Sequence, residues 1–279
     1  MTKLFVFAKR ADVKDTEKIL ASLSQFDFEL YTDTKTDFDK AVFEENPDVI
    51  VPSCDFLTVL GGDGSLIGVA RKYAEFKKPI LGVNFGRLGY LVELEKDDIL
   101  KASCLIDGNF RLENRIMLDV RVVRDGKVVF SGCALNDAVV TKGALSRMIH
   151  FKTSVGGHEV NSYHADGLVV ATPTGSTAYS MSAGGPVVAP ELEVILLTPI
   201  CSHSLTNKPL VVSDKQIIRI DADFRFEEEV VLTLDGQEGF RLFAGDYVEI
   251  EKSSNSTQLV RVSERSFFSN LKQKLNENR

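Results

Sequence analysis

The 279-residue chain has no excess of positive charge: 33 Lys and Arg stand against 40 Asp and Glu, for a formal net charge of −7. A net acidic surface does not attract nucleic acid or an anionic membrane, so neither is expected as the main partner. No run approaches the roughly 18 apolar residues that a membrane-spanning helix needs. The amino terminus is charged again by Arg10-Ala11-Asp12 and has no small-residue cleavage site, which argues against a secretory signal. Only four cysteines occur, Cys54, Cys104, Cys133 and Cys201, without a Cys-x-x-Cys pair. That spacing excludes a disulfide framework or zinc knuckle and leaves the expectation of buried thiols in a reducing cytoplasm. The four histidines are equally scattered, with no His-x-x-x-His, and suggest no transition-metal site. Common site signatures are missing too. There is no Gly-x-x-x-x-Gly-Lys-[Ser/Thr], and Gly62-Asp63-Gly64 runs on through Ser65-Leu66-Ile67-Gly68, one residue too long for the dinucleotide fingerprint. No Gly-x-Ser-x-Gly elbow marks an α/β hydrolase.

What is present builds a globular protein. Hydrophobic residues make up 44% and charged residues 26%, enough for a real core in one large or two ordinary domains. The first part reads as strands alternating with helices. Residues 3–8, 28–31, 56–60 and 79–84 are strand-like. Between them, 16–26 carries Ile19, Leu20, Leu23 and Phe26 at helical spacing, 38–45 reads as a short helix stopped by Asn46-Pro47, and 97–106 as another helix. This alternation predicts βαβ units and a mainly parallel sheet. After about residue 111 the period changes to short alternating strands. Asp125-Gly126 and Gly156-Gly157 mark hairpins there, and almost no helix is visible as far as Val262. The expected architecture is therefore an α/β domain over 1–110, an all-β sandwich over 111–262, and a helix over 263–279 packing back on the first domain.

Three segments carry chemistry. Gly61-Gly62-Asp63-Gly64 follows a buried strand and opens a helix, where ligands bind in an open α/β sheet. The turn admits two readings: a backbone cradle for a polyphosphate with Asp63 as general base, or a tight turn whose Asp caps the helix. The segment 165–186, containing Thr172-Pro173-Thr174-Gly175-Ser176-Thr177-Ala178-Tyr179-Ser180, is dense in small hydroxyl residues. Tyr179 there is able to stack on a flat ring. Asn136-Asp137 is a polar pair in an apolar strand, suited to a ribose diol or an exocyclic amine, or simply a strand-end turn. Asp235-Gly236-Gln237 reads first as a hairpin turn.

Together with Gly86-Arg87-Leu88-Gly89-Tyr90, these segments occur in the order found in the NAD kinase family, and from about Phe56 to Phe240 the chain resembles that family. The resemblance implies ATP-dependent phosphorylation of the 2′-hydroxyl of the adenosine ribose of NAD, giving NADP. It places Asp63 as proton acceptor with Gly64 beside it, and Asn136 and Asp137 on the NAD. Thr177, Ala178, Tyr179, Ser180, Met181 and Ser182 would line the adenine and nicotinamide ends. Arg147, His164 and Gln237 stand where the family has further ligand contacts, and Asp166 where a neighbouring subunit contributes one. His164 replaces a commoner Arg and Asp137 a commoner Glu. The resemblance also implies a cytoplasmic homo-oligomer, a dimer or tetramer. Because phosphoryl transfer needs neutralised phosphate charge, a divalent cation, Mg²⁺, is expected on the nucleotide's phosphates, with no ligand set of the protein's own. Two rivals remain at this stage: a lipid or sphingoid kinase, which shares Gly-Gly-Asp-Gly but whose membrane-binding basic amphipathic helix is not visible, and a non-catalytic dinucleotide-binding regulatory module.

Overall fold

The computed structural model describes residues 1–86, 89–143, 148–202, 207–223 and 229–277. The chain forms two units, Met1–Asn114 with Thr257–Arg279, and Arg115–Ser256.

In the first unit, β1 (Thr2–Phe7), α1 (Val13–Leu23), β2 (Phe28–Thr32), β3 (Ala41–Phe43), α2 (Pro47–Ile50), β4 (Phe56–Leu60), α3 (Asp63–Lys72), β5 (Ile80–Asn84), β6 (Leu94–Glu95) and α4 (Cys104–Asp107) follow in order. All pairings are parallel, in the order β5-β4-β1-β2-β3, with β6 beside β5. The central strands are mostly apolar, as buried parallel strands are, with Thr58 of β4 and Asn84 of β5 among the buried polar exceptions. Leu4, Val6, Leu30 and Leu81 pack with Ile19, Leu20 and Leu23 of α1. That helix begins early because the Asp12 carboxylate accepts from the amides of Lys14 and Asp15. The segment expected as a helix over 38–45 is instead β3, an edge strand on β2, and the helix starts at Pro47. Pro47 initiates rather than stops the helix because a first-turn N–H has no intrahelical partner to lose. The helix expected over 97–106 is mostly a 3₁₀ stretch, Lys96–Ser103, ending in α4.

The second unit contains most of β7 (Arg111–Arg124), β8 (Lys127–Ala134), β9 (Asp137–Lys142), β10 (Ile149–Val155), β11 (His158–Ala165), β12 (Gly167–Ala171), α5 (Tyr179–Ser182), β13 (Val194–Ile200), β14 (Leu210–Ser213), β15 (Ile218–Asp223), β16 (Val230–Leu234), β17 (Glu238–Leu242) and most of β18 (Tyr247–Arg261). One antiparallel sheet runs β14-β13-β12-β9-β16-β17, and β11-β10-β15-β18 with the β7–β8 hairpin forms the other layer. Alternate residues of both layers, among them Val120, Phe151, Ile220, Val140, Val170 and Leu232, make one dry core, which is a β-sandwich. Asp125 and Gly126 turn at φ 48° and 73°, the left-handed pair that a two-residue hairpin demands. Strand β18 continues to Arg261, where Leu259 pairs with Ile80 of β5, and α6 (Phe267–Glu277) closes the chain in the first unit. Phe267 of α6 stands 6.3 Å from the Tyr90 ring. Of the four thiols expected to be buried, Cys54 and Cys104 are, but Cys133 is half-buried and Cys201 exposed. Cys201 follows the end of β13 at a positive φ of 47°, where the chain turns out of the sheet.

Candidate functional site

The glycine turn leaves β4 and enters α3 with Gly62 as cap and Asp63 as first helical residue. The Asp63 carboxylate does not cap its own helix. It faces residues 89–92, accepting from the Tyr90 amide on Oδ2 at 2.7 Å and from the Leu91 and Val92 amides on Oδ1 at 3.1 and 3.2 Å. A carboxylate has about four acceptor positions; three are used, and both oxygens are oriented. Gly89 is obligatory for this: a Cβ there would lie 2.0 Å from Asp63 Oδ1. A cavity of about 260 Å³ is lined by Lys9, Arg10, Asp33, Gly64, Ser65 and Lys72, among others. It lies where β1 and β4 end, as ligand crevices do in parallel sheets. Three cations around one cavity suit a polyphosphate. Lys72 lies 2.6 Å from Asp48, and that hydrogen bond pushes its ammonium above the ordinary range, so the charge persists at any physiological pH. Among the described residues no group of three or more His, Cys, Asp or Glu side chains gathers as a metal site.

In the second unit, the Asn136-Asp137 pair and the hydroxyl-rich segment are joined. Asp235, at φ 52°, accepts from three successive amides, those of Leu135 (2.9 Å), Asn136 (2.7 Å) and Asp137 (3.0 Å). Thr172 donates to the Leu135 carbonyl at 2.6 Å and accepts from the Gly175 amide at 3.1 Å. Gly175 packs on the Asn136 backbone so closely that a Cβ would lie 2.1 Å from its carbonyl oxygen. Asp137 is buried, and burial, with the Asp235 charge as second cause, raises its carboxyl to about 7. The Asn136 Oδ1 is buried without a hydrogen-bond partner among the described residues, an acceptor waiting for a donor.

The hydroxyl-rich segment is less available than its composition suggests. Thr172, Ser176 and Ser180, spaced four apart, all point inward. Ser176 both donates to and accepts from the backbone of Val188, at 3.1 and 3.0 Å, and Ser180 lies 3.0 Å from Thr198 Oγ1. Thr177, Ala178 and Met181 are half-buried, while Tyr179 and Ser182 are exposed. The outward side chains are therefore those free to meet a ligand.

The profile of the ATP-NAD kinase N-terminal domain matches residues 10–105, and that of the ATP-NAD kinase C-terminal domain matches residues 135–262. The chain belongs to the NAD kinase family. An NAD kinase of Natranaerobius thermophilus is 39% identical over 264 residues, 93% of this chain and 92% of that protein. One of Heliobacterium modesticaldum is 47% identical over 226 residues, 81% and 80% of the two chains. Among solved structures, an NAD kinase from Archaeoglobus fulgidus in complex with ATP superposes at a TM-score of 0.73 with 28% identity, covering 99% of both chains. Yeast NADH kinase complexed with NADH shares the fold at a TM-score of 0.87 and 22% identity, over 99% of this chain and 88% of that one.

The remaining residues singled out by the NAD kinase resemblance are distributed as follows. His164 lies on β11 with its ring 5.8 Å from that of His150. The Asp166 carboxylate is 3.4 Å from Lys142 Nζ. Gln237 is exposed in the β16–β17 turn, its amide bonded to the Leu234 carbonyl at 3.0 Å. Arg147, like Arg87 and Leu88, lies outside the described residues. The sequence reads Asp235 first as part of a hairpin turn and only second as a ligand contact, and it gives no role to Lys9, Arg10 or Lys72. A carboxylate that binds backbone amides leaves no spacing signal, and cations far apart in the chain meet only at strand ends.

Proposed function

We propose that the chain transfers the γ-phosphoryl group of ATP to the 2′-hydroxyl of the adenosine ribose of NAD, releasing NADP and ADP. The observation that carries this is the Asp63 carboxylate of an NAD kinase family member, oriented by three amides at the head of a helix whose next two residues line a cation-rich cavity. The ribose oxygen attacks the γ-phosphorus, the bond to the bridging oxygen of ADP breaks, and the hydroxyl proton passes to Asp63. A base so placed contributes about 10²–10⁴-fold, and the remainder comes from positioning and charge neutralisation. Lys9, Arg10 and Lys72 take the donor's phosphates. Asn136, Asp137 and the outward side chains of 177–182 hold NAD, with Ser180 supporting them from beneath and Gln237 and His164 at the margin. A ribose hydroxyl or an amide N–H supplies the donor that Asn136 Oδ1 lacks, and Asp137 accepts best when ionised.

A divalent cation neutralises phosphate charge when bound. It is assigned mainly to the phosphates of the bound nucleotide. A homo-oligomer in which Asp166 serves a neighbouring subunit follows from the family resemblance. A reducing, cytoplasmic setting accords with Cys54 and Cys104, thiols that burial pushes up to about 11 and holds unreactive. The lipid kinase and regulatory-module readings are not favoured, since both profiles and the relatives are NAD kinases.

The test is label transfer from γ-labelled ATP to NAD by the wild type and by Asp63→Asn. Label in NADP, lost by about two orders of magnitude or more in the variant with NAD binding retained, is the expected result. NAD binding without transfer by the wild type would sink the activity, and near-wild-type turnover by the variant would remove Asp63 from its role.

A further inference from the structure

The amides that hold Asp63 belong to peptide groups engaged on their other side as well. Arg261, at the end of β18, is buried, and its guanidinium donates from Nη2 to the Tyr90 carbonyl at 3.3 Å and from Nη1 to the Leu91 carbonyl at 2.9 Å. The peptide group between Tyr90 and Leu91 thus receives Arg261 on its C=O and offers its N–H to Asp63 Oδ1. The next peptide group, between Leu91 and Val92, does the same. Two aligned peptide dipoles connect a fixed positive charge to the carboxylate. Each hydrogen bond in such a chain polarises the next, by about 10–30% per bond in condensed-phase estimates. The guanidinium is itself fixed by Glu93 at 3.2 Å and Glu113 at 3.0 Å. Glu93, also buried, accepts in addition from the amides of Val262 and Ser263 at 2.9 and 2.6 Å.

We propose that Arg261 is a positioning residue for Asp63, acting through these two peptide groups. A mere strut would need only its carboxylate partners, and a lysine would satisfy those nearly as well. The fork onto two successive carbonyls is what an ammonium cannot reproduce. Arg261 touches no substrate in this scheme; it fixes the direction of the Asp63 oxygens and keeps the 90–92 amides turned toward them.

The inference rests on Asp63 being the proton acceptor, and the experiment separates the two. Arg261→Lys, Asp63→Asn and the double variant are compared for kcat, for KM of ATP and of NAD, and for amide hydrogen exchange over 90–92. The expected result is a kcat lowered about tenfold to a hundredfold by Arg261→Lys with both KM values within about threefold. Exchange at Leu91 and Val92 should be faster, and the double variant less than about twofold below Asp63→Asn alone. If Asp63→Asn turns over normally, the base assignment fails, whatever Arg261→Lys does. If Asp63→Asn is inactive while Arg261→Lys keeps wild-type kcat, keeps its exchange protection, or loses activity multiplicatively in the double variant, the relay is overturned. Should Arg261→Lys fail to fold, the neutral pair Arg261→Gln with Glu93→Gln leaves no buried unpaired charge and is held to the same outcomes.

Discussion

Asp137 shows how one carboxyl couples stability to pH. Burial and the Asp235 charge raise it to about 7 in the folded chain, against an ordinary value of 3.8. Between those values the native state holds a proton that the unfolded chain has released, so stability falls as pH rises from about 4 through about 7 and then levels off. Asp137→Asn has no such proton to lose. Relative to wild type, it should gain on the order of 3 kcal/mol between pH 4 and pH 8, read by denaturant titration at the two pH values. The same ionisation should tighten NAD, so KM for NAD is expected to fall as pH rises through 7 in the wild type and to be flat in Asp137→Asn. Asp235 also acts through geometry. Replacing it by Ala leaves three successive amides without their acceptor, and NAD affinity measured by calorimetry should drop about tenfold or more as the 135–137 turn relaxes.

At the scale of elements, the contact between the Asn136 turn and the segment after β12 is the feature most exposed to small changes. Gly175→Ala drives a methyl into the Asn136 carbonyl. It is expected to lower Tm by several degrees and to weaken NAD binding together, whereas Ser182→Ala, on the exposed side, should leave Tm unchanged. Thermal melts of the two variants decide this. The parallel strands, the hairpins and the glycine turn were legible because period and turn chemistry are local properties. Residues 253–257 were not: Ser253-Ser254-Asn255-Ser256-Thr257 is a run of small polar residues without strand alternation, yet β18 runs straight through it with Ser253 and Thr257 buried. β3 was hidden for a related reason, since three residues on a sheet edge are defined by their neighbour rather than by their own pattern. The inward turn of Thr172, Ser176 and Ser180 was likewise invisible, because composition does not say which hydroxyls are already engaged. Nothing local in Val260-Arg261-Val262 marks Arg261, because its partners lie far away in the chain.

For the whole molecule, the two units differ in how the chain builds them. Arg115–Ser256 is continuous, while the other unit is assembled from Met1–Asn114 and Thr257–Arg279. A fragment of 115–256 is therefore expected to fold alone as a β protein by circular dichroism. A fragment of 1–114 is not, since it buries Glu93 without Arg261 and loses the pairing of Ile80 in β5 with Leu259. Joining 257–279 to it through a short linker should restore a cooperative melt. The amide-only hold on Asp63 also constrains which sequences can occupy its loop. At Tyr90, Leu91 and Val92 the carboxylate reads no side chain, so a saturation library there should score Leu91 and Val92 mainly by volume. The residue rejected at all three positions is proline, which has no N–H to give.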